Sequence, residues 1–145
     1  MIRAIVFDFY DTLVYRDVAE TARTREAIAG LFGVTASDLN ALWRRDRDAR
    51  MLGDIATLEE HLRRMLGELG ASVAEPALTE AARLEREGQR RAVHPYANTE
   101  RVLERLRQMG FRLGLLSNSS DTAQIPLGNL GLDRYFDAIV LSHEV

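Results

Sequence analysis

Residues 2–13, IRAIVFDFYDTL, join a short apolar run to a group of polar side chains. The run from Ile2 to Phe9 is rich in β-branched and aromatic residues, as in a strand that is buried on both faces of a parallel sheet. Open α/β sheets bind their ligands at the carboxyl ends of such strands. Asp8 lies at that end, where its carboxylate can attack an electrophilic carbon or phosphorus atom and form an ester. The alternative for a single aspartate is that it caps the following turn.

Two further strands are predicted, each after a helical segment. Residues 98–109 predict a helix that ends at Gly110, and residues 111–116, FRLGLL, predict the second strand. Residues 138–141 predict the third strand, after a helix that we expect Asp121 to cap. This order of strands and helices predicts an α/β fold with a parallel sheet of about three strands.

The region between the first two strands is long, polar and helical. Leucines recur at helical spacing, and Ser37, Thr57 and Thr79 are suitable N-cap residues, so we predict four helices. We assign residues 16–91 to an inserted helical lobe, and residues 1–15 and 92–145 to the α/β core. The sequence His94-Pro95-Tyr96 marks the return to the core because proline ends a helix. We expect the lobe to cover the carboxyl ends of the strands and exclude water.

Composition excludes several classes of function. A net charge of -3 gives no electrostatic reason to bind nucleic acid or an acidic membrane surface. We see no signal peptide and no apolar run of membrane-spanning length, so we expect a cytoplasmic protein whose partner is a small-molecule substrate. There are no cysteines, and all 19 basic residues are arginine. A thiolate nucleophile and a lysine ammonium are therefore both excluded within this chain.

The order of the motifs resembles that of the haloacid dehalogenase superfamily of hydrolases. The resemblance rests on a first strand followed by D-x-x-x-T-L at Asp8, an inserted helical region, and a second strand that ends in Ser117-Asn118. It covers essentially the whole chain and implies a Rossmann-like core with a helical cap. It also implies that Asp8 is the covalent nucleophile, that Thr12 organises the loop, and that Ser117 and Asn118 contact the substrate.

Tyr10 distinguishes two branches of this superfamily. Its phosphatases usually carry a second aspartate at this position, which protonates the leaving oxygen and then activates water. Its haloacid dehalogenases carry tyrosine there, since a halide leaves without a proton. The resemblance therefore favours hydrolysis of a carbon–halogen bond, with Tyr10 as a catalytic residue. Asp11 stands where the family more often has glycine, and it should not replace the missing acid because adjacent side chains on a strand point apart.

Two charged side chains, one arginine and one aspartate, are further candidates for substrate binding. Trp43-Arg44 resembles the segment in which those dehalogenases place an arginine against the substrate carboxylate or the departing halide. The alternative for Arg44 is a solvated helix face, because Arg45, Arg47 and Arg50 lie close to it in the sequence. We also assign Asp11 to substrate binding.

The remaining implications concern cofactors and completeness. Phosphate monoester hydrolysis is the alternative activity; it would use Mg²⁺ with Asp8 as a ligand, whereas a dehalogenase-like reaction would need no cofactor. The family pattern also requires a lysine after the third strand and acidic residues after the fourth. Because this sequence contains no lysine and shows no fourth strand, we expect low or no turnover from the 145-residue chain. The alternative from another functional class is a catalytically incomplete binding or assembly module. Without a fourth strand, the first strand would be an exposed edge through which the chain self-associates.

Overall fold

The computed structural model describes residues 3–145, so Ile2, the first residue of the predicted first strand, lies outside the described residues. The strands are β1 (Ala4–Phe7), β2 (Val14–Arg16), β3 (Val93–Pro95), β4 (Arg112–Ser117) and β5 (Ala138–Leu141). The helices are α1 (Val18–Phe32), α2 (Ala36–Arg45), α3 (Arg47–Met51), α4 (Leu58–Glu68), α5 (Glu75–Ala92), α6 (Thr99–Gln108) and α7 (Gln124–Asn129). Short 3-10 turns follow at residues 121–123, 133–135 and 142–144.

Three strands form a parallel sheet in the order β1-β4-β5. Phe7 of β1 is aligned with Leu115 of β4, and Ser117 at the end of β4 is aligned with Leu141 of β5. Gly110 ends the preceding helix at a φ of 85°, a conformation that glycine adopts at no steric cost. The predicted α/β fold with a three-stranded parallel sheet is confirmed.

The two faces of this sheet differ in their cover. Leu113 and Leu115 of β4 are buried in one apolar cluster with Leu103 of α6 and Leu127 of α7. On the opposite face, Val6, Leu116 and Val140 remain 64%, 56% and 41% exposed. Within residues 3–145, the outer edge of β1 pairs with no other strand. Apolar residues and unpaired backbone groups are therefore exposed together along β1.

A two-stranded antiparallel ribbon, β2 with β3, connects the core to the inserted helices. Tyr15 pairs with His94 in this ribbon, and their rings lie 5.5 Å apart. The sequence analysis predicted His94-Pro95-Tyr96 as a return segment, but it did not predict either strand. Strands of three residues are too short to show a period-2 pattern.

The inserted region contains five helices rather than the predicted four, because α2 ends at Arg45 and a short α3 follows it. Thr57 caps α4 as predicted: its Oγ1 accepts a hydrogen bond from the Glu60 N–H at 3.2 Å. The other two predicted caps are wrong. Thr35 rather than Ser37 caps α2, and α5 begins at Glu75, so Thr79 lies inside that helix.

Separate apolar clusters stabilise the helices and the sheet. The first cluster consists of side chains between Ile28 and Ala82, whereas the second extends from Phe9 to Val14 and from Val93 to Leu132. A lobe that is inserted after β1 and buries its own apolar side chains would produce this separation. Among residues 3–145, no helix has both the length and the apolar composition needed to cross a membrane.

Candidate active site

Asp8 lies immediately after β1, at the carboxyl end of the sheet, and is exposed. Thr12 Oγ1 donates to Asp8 Oδ2 over 3.4 Å, which is long for a hydrogen bond between oxygens. The following carbonyl, that of Leu13, accepts from Thr99 Oγ1 at 2.6 Å and from the Tyr96 N–H at 3.2 Å. The loop after the candidate nucleophile is thus held by the return segment and by the start of α6.

Ser117 and Asn118 follow β4 at the same end of the sheet. The parallel alignment of Phe7 with Leu115 brings Asp8 and Ser117 to the ends of adjacent strands. Ser117 is buried, and its Oγ has no hydrogen-bond partner among the described residues. A buried hydroxyl without a partner is unfavourable, and a bound ligand can supply one. Asn118 is exposed and lines the neighbouring cavity.

A cavity of about 420 Å³ lies between the loops of the core and the inserted helices. Three of the predicted site residues line it, namely Tyr10, Asp11 and Asn118. Asp8, Thr12, Ser117 and Arg44 are not among its lining residues. The remaining polar side chains of the wall come mainly from the ribbon, the inserted helices and the loop after β4; they are Arg16, Thr21, Arg25, Asn40, Trp43, Arg47, Arg50, Gln89, Ser119, Ser120 and Thr122.

Trp43 is the centre of a basic wall of this cavity. The guanidinium carbon of Arg25 lies 3.4 Å from the centre of the Trp43 ring, and that of Arg50 lies 4.5 Å from it. Arg44, the predicted contact, is exposed instead. Arg47 and Arg50 follow Trp43 by four and seven residues, the spacing of one helical face, although the structure divides this segment into α2 and α3; Arg44 does not have this spacing. The spacing in the sequence therefore favoured Arg47 and Arg50 over Arg44 as neighbours of Trp43.

Arg25 is held by a buried carboxylate on another helix. Its Nη1 lies 2.8 Å from Glu85 Oε2, and its Nη2 donates to Glu85 Oε1 at 3.2 Å. Gln89 Nε2 donates to the same Glu85 oxygen at 2.7 Å, and Arg16 Nη1 donates to Gln89 Oε1 at 2.8 Å. Burial lowers the pKa of Arg25, against the opposing effect of Glu85. No local pattern could reveal this pair, since 60 residues separate its members.

Tyr10 lies on the core side of the cavity, partly buried. The guanidinium carbon of Arg16 lies 5.0 Å from the centre of its ring. Burial raises the pKa of Tyr10 above its ordinary value, although the charge of Arg16 acts in the opposite direction. The phenol is therefore protonated at neutral pH and does not serve as the base that an aspartate at this position would provide.

Asp11 is the one non-glycine residue among residues 3–145 with a positive φ, at 59°. Its backbone N–H donates to the carbonyl of Val14 at 2.8 Å and closes the turn between β1 and β2. Its carboxylate is the single acidic group in the wall of the cavity.

Polar contacts join the core to the inserted helices beside the cavity. Asp121 Oδ2 accepts from the Leu58 N–H at 2.9 Å, so this aspartate supports the first turn of α4. The prediction that Asp121 caps the helix after β4 is wrong, because its side chain makes no cap bond to that turn. Ser142 Oγ donates to the carbonyl of Met51 at 2.7 Å and accepts from the Ser119 N–H at 3.0 Å.

Asp8 is the candidate magnesium ligand among the described residues, and no cluster of acidic side chains surrounds it. Mg²⁺ prefers near-octahedral oxygen coordination and usually binds through one or two carboxylates, several waters and substrate oxygens. Over residues 3–145, no three acidic or histidine side chains lie close enough to share an ion. Tyr10, two residues after the predicted ligand Asp8, has no carboxylate that could add a second ligand.

Comparisons with known proteins agree on the family of this chain. A family model described as haloacid dehalogenase-like hydrolase matches residues 2–145. The solved structure of L-2-haloacid dehalogenase from Xanthobacter autotrophicus, with chloropropionic acid covalently bound, is 25% identical, with a TM-score of 0.59 over 97% of this chain and 57% of that chain. A second dehalogenase is 24% identical, with a TM-score of 0.57 over 99% of this chain and 63% of that chain.

A phosphate-binding relative shares the fold as well. A HAD family enzyme from Bacteroides thetaiotaomicron, in complex with magnesium and inorganic phosphate, is 17% identical, with a TM-score of 0.65 over 99% of this chain and 70% of that chain. No curated protein matches the chain by sequence. The chain thus spans 57% and 63% of the lengths of the two dehalogenases.

Proposed function

Because the chain belongs to the haloacid dehalogenase-like hydrolase family, we propose that it acts on the carbon–halogen bond of a small 2-haloacid. A carboxylate oxygen of Asp8 attacks C2, the carbon–halogen bond breaks, and the halide leaves with the bonding electrons. Water then attacks the carbonyl carbon of the Asp8 ester. This step releases a 2-hydroxy acid, restores the carboxylate and gives one proton to solvent.

Tyr10 is the observation that carries this proposal. A phosphate ester needs an acid that protonates its leaving oxygen, whereas a halide needs none. Tyr10 occupies the position of that acid, lines the cavity, and has a pKa that burial raises. The first covalent step of dehalogenation requires only the Asp8 carboxylate and an open position for the halide, so a neutral phenol is compatible with it.

Arg50 supports the choice of an anionic substrate. It donates to the carbonyl of Trp43 at 3.1 Å, its Nε has no hydrogen-bond partner, and it forms no ion pair within the described part of the chain. Burial, and next the charge of Arg25, lower the pKa of Arg50 to about 10, which still leaves it cationic at neutral pH. The carboxylate of a 2-haloacid would supply the missing partner. We therefore propose Arg50, in place of Arg44, as the group that binds this carboxylate.

Substitution of the two arginines separates these roles. Loss of a charge-assisted hydrogen bond costs about 1.5–3 kcal/mol, or about 10- to 100-fold in affinity. We expect Arg50→Met to weaken binding of 2-chloropropionate by that factor, and Arg44→Met, the matched exposed control, to leave it unchanged. Calorimetric titration measures both. Equal effects of the two substitutions would contradict the assignment of Arg50.

The reaction type is tested by the leaving group. Stoichiometric protein is mixed with 2-chloropropionate or with p-nitrophenyl phosphate, with and without Mg²⁺, so that even a single turnover is detected. We expect chloride release without Mg²⁺ and no phosphate release. Mg²⁺-dependent phosphate release without chloride release would instead support the phosphatase alternative. Absence of both products would support the binding or assembly module.

A further inference from the structure

The charges around the cavity are unequally distributed between its two sides. The inserted helices contribute Arg25, Arg47 and Arg50 and strand β2 contributes Arg16, whereas the loop after β1 contributes the carboxylate of Asp11. Arg25 is balanced by Glu85, but Asp11 makes no side-chain ion pair within residues 3–145. Arg16 donates to Gln89 and lies over the Tyr10 ring, and it forms no ion pair with Asp11. An anion that binds near Arg50 does not supply a partner for the Asp11 carboxylate either.

The backbone at Asp11 gives no structural reason for an acidic side chain. With its φ of 59°, this position favours glycine, although aspartate tolerates the left-handed region better than most residues do. The turn itself uses only the backbone N–H of Asp11, which bonds to Val14. Glycine would make the same bond with less strain. The Asp11 carboxylate is exposed in the cavity wall and makes no bond inside the described chain, so it is available to a ligand.

The volume of the cavity permits a ligand that carries a polar group at each end. At about 420 Å³ it lies within the range of pockets that enclose drug-sized molecules. A 2-haloacid that occupied only the neighbourhood of Arg50 would leave space beside Asp11.

We propose that Asp11 is a specificity-determining residue, and that the substrate is a 2-haloacid whose distal carbon carries a hydrogen-bond donor, either a hydroxyl or an ammonium group. The carboxylate of the substrate binds Arg50 and the distal donor binds Asp11. Two oriented contacts at opposite ends of the molecule also fix its orientation in the cavity. This inference rests on the proposed function, since it takes the anion site at Arg50 as given.

Binding of product-like 2-hydroxy acids tests the inference without any turnover. Calorimetric titrations compare lactate, which has no distal donor, with glycerate, which has a distal hydroxyl, and isoserine, which has a distal ammonium. We expect the unaltered chain to bind glycerate and isoserine at least about tenfold more tightly than lactate. Asp11→Asn should keep the preference for glycerate and lose most of that for isoserine, because the amide oxygen accepts a hydrogen bond without a charge.

Asp11→Gly is the second variant, and it fits the turn without strain, so a fold defect is not expected. It should remove both preferences and leave the affinity for lactate unchanged. Lactate binding without any preference in the unaltered chain, or a preference that survives in Asp11→Gly, would overturn the role of Asp11 and leave the proposed function intact. Failure of all three acids to bind would overturn the anion site, and with it the proposed function.

Discussion

Glu85→Gln should destabilise the inserted helices more than any change to a surface ion pair. Arg25 and Glu85 are each 3% exposed, and the substitution leaves the guanidinium buried without a counterion. Breaking a buried pair from one side costs about 3–5 kcal/mol. The amide oxygen of the introduced glutamine can still accept a hydrogen bond from Arg25, so we expect a loss of about 3 kcal/mol. A chain of this length has a total stability of about 7–20 kcal/mol.

Urea denaturation followed by circular dichroism measures this loss. Glu80→Gln is a matched control on the same helix, because Glu80 pairs with Arg83 at a site where the side chains are 41% and 52% exposed. An exposed pair of this kind contributes about 0–1 kcal/mol. The double variant Arg25→Met with Glu85→Leu should recover most of the stability, since it removes both charges. A loss for Glu85→Gln no larger than that for Glu80→Gln would refute the reasoning.

Three further predictions concern acid, assembly and the contact between core and cap. Burial, and next Arg50, lower the pKa of His61 to about 4, so the unfolded chain binds a proton before the folded one does. The stability from neutral His61 is complete above about pH 6.5 and is lost as the pH falls towards 4, by about 2–3 kcal/mol at pH 4.5; denaturation at about pH 7 and at about pH 4.5 tests this, and equal stability at the two pH values contradicts it. We propose that a second copy of the chain pairs with the edge of β1 and covers Val6, which is exposed in the single chain. Val6→Lys should then shift the sedimentation coefficient towards that of a monomer. A monomeric unaltered chain at tens of micromolar, on the order of concentrations where exposed edges associate, would exclude the pairing. Asp121→Ala removes the acceptor for the Leu58 N–H and should cost about 1 kcal/mol, whereas no change in urea midpoint would contradict that role.

Local patterns were sufficient to predict the main elements of the fold. The apolar run before Asp8, the helix stop at Gly110 and the strand at residues 138–141 each depend on residues that are adjacent in sequence. The ribbon of β2 and β3 depends instead on pairing between segments about 80 residues apart. Its strands are too short for a pattern of their own, so only the folded chain reveals them.

The candidate site was predictable only where its chemistry lies within one motif. Tyr10, Asp11 and Asn118 line the cavity, and all three belong to the two motifs identified from the sequence. Arg50 could have been chosen over Arg44 by its helical spacing from Trp43. The partners of Arg25 and Asp121 could not be predicted from the sequence, because they lie 60 and 63 residues away and only the packing of the folded chain brings them near.

Detection of an ester on Asp8 tests the central claim most directly. The chain is incubated with equimolar 2-chloropropionate, digested and examined by mass spectrometry, while chloride release is measured in parallel. Because the sequence contains no lysine to stabilise developing negative charge, hydrolysis of the ester should be slow and the ester should accumulate. We predict a propionate adduct on the peptide that contains Asp8, one chloride per adduct, no adduct in Asp8→Asn, and an unchanged adduct site in Asp11→Asn. An adduct that persists in Asp8→Asn, or chloride release that does not depend on Asp8, would contradict the account.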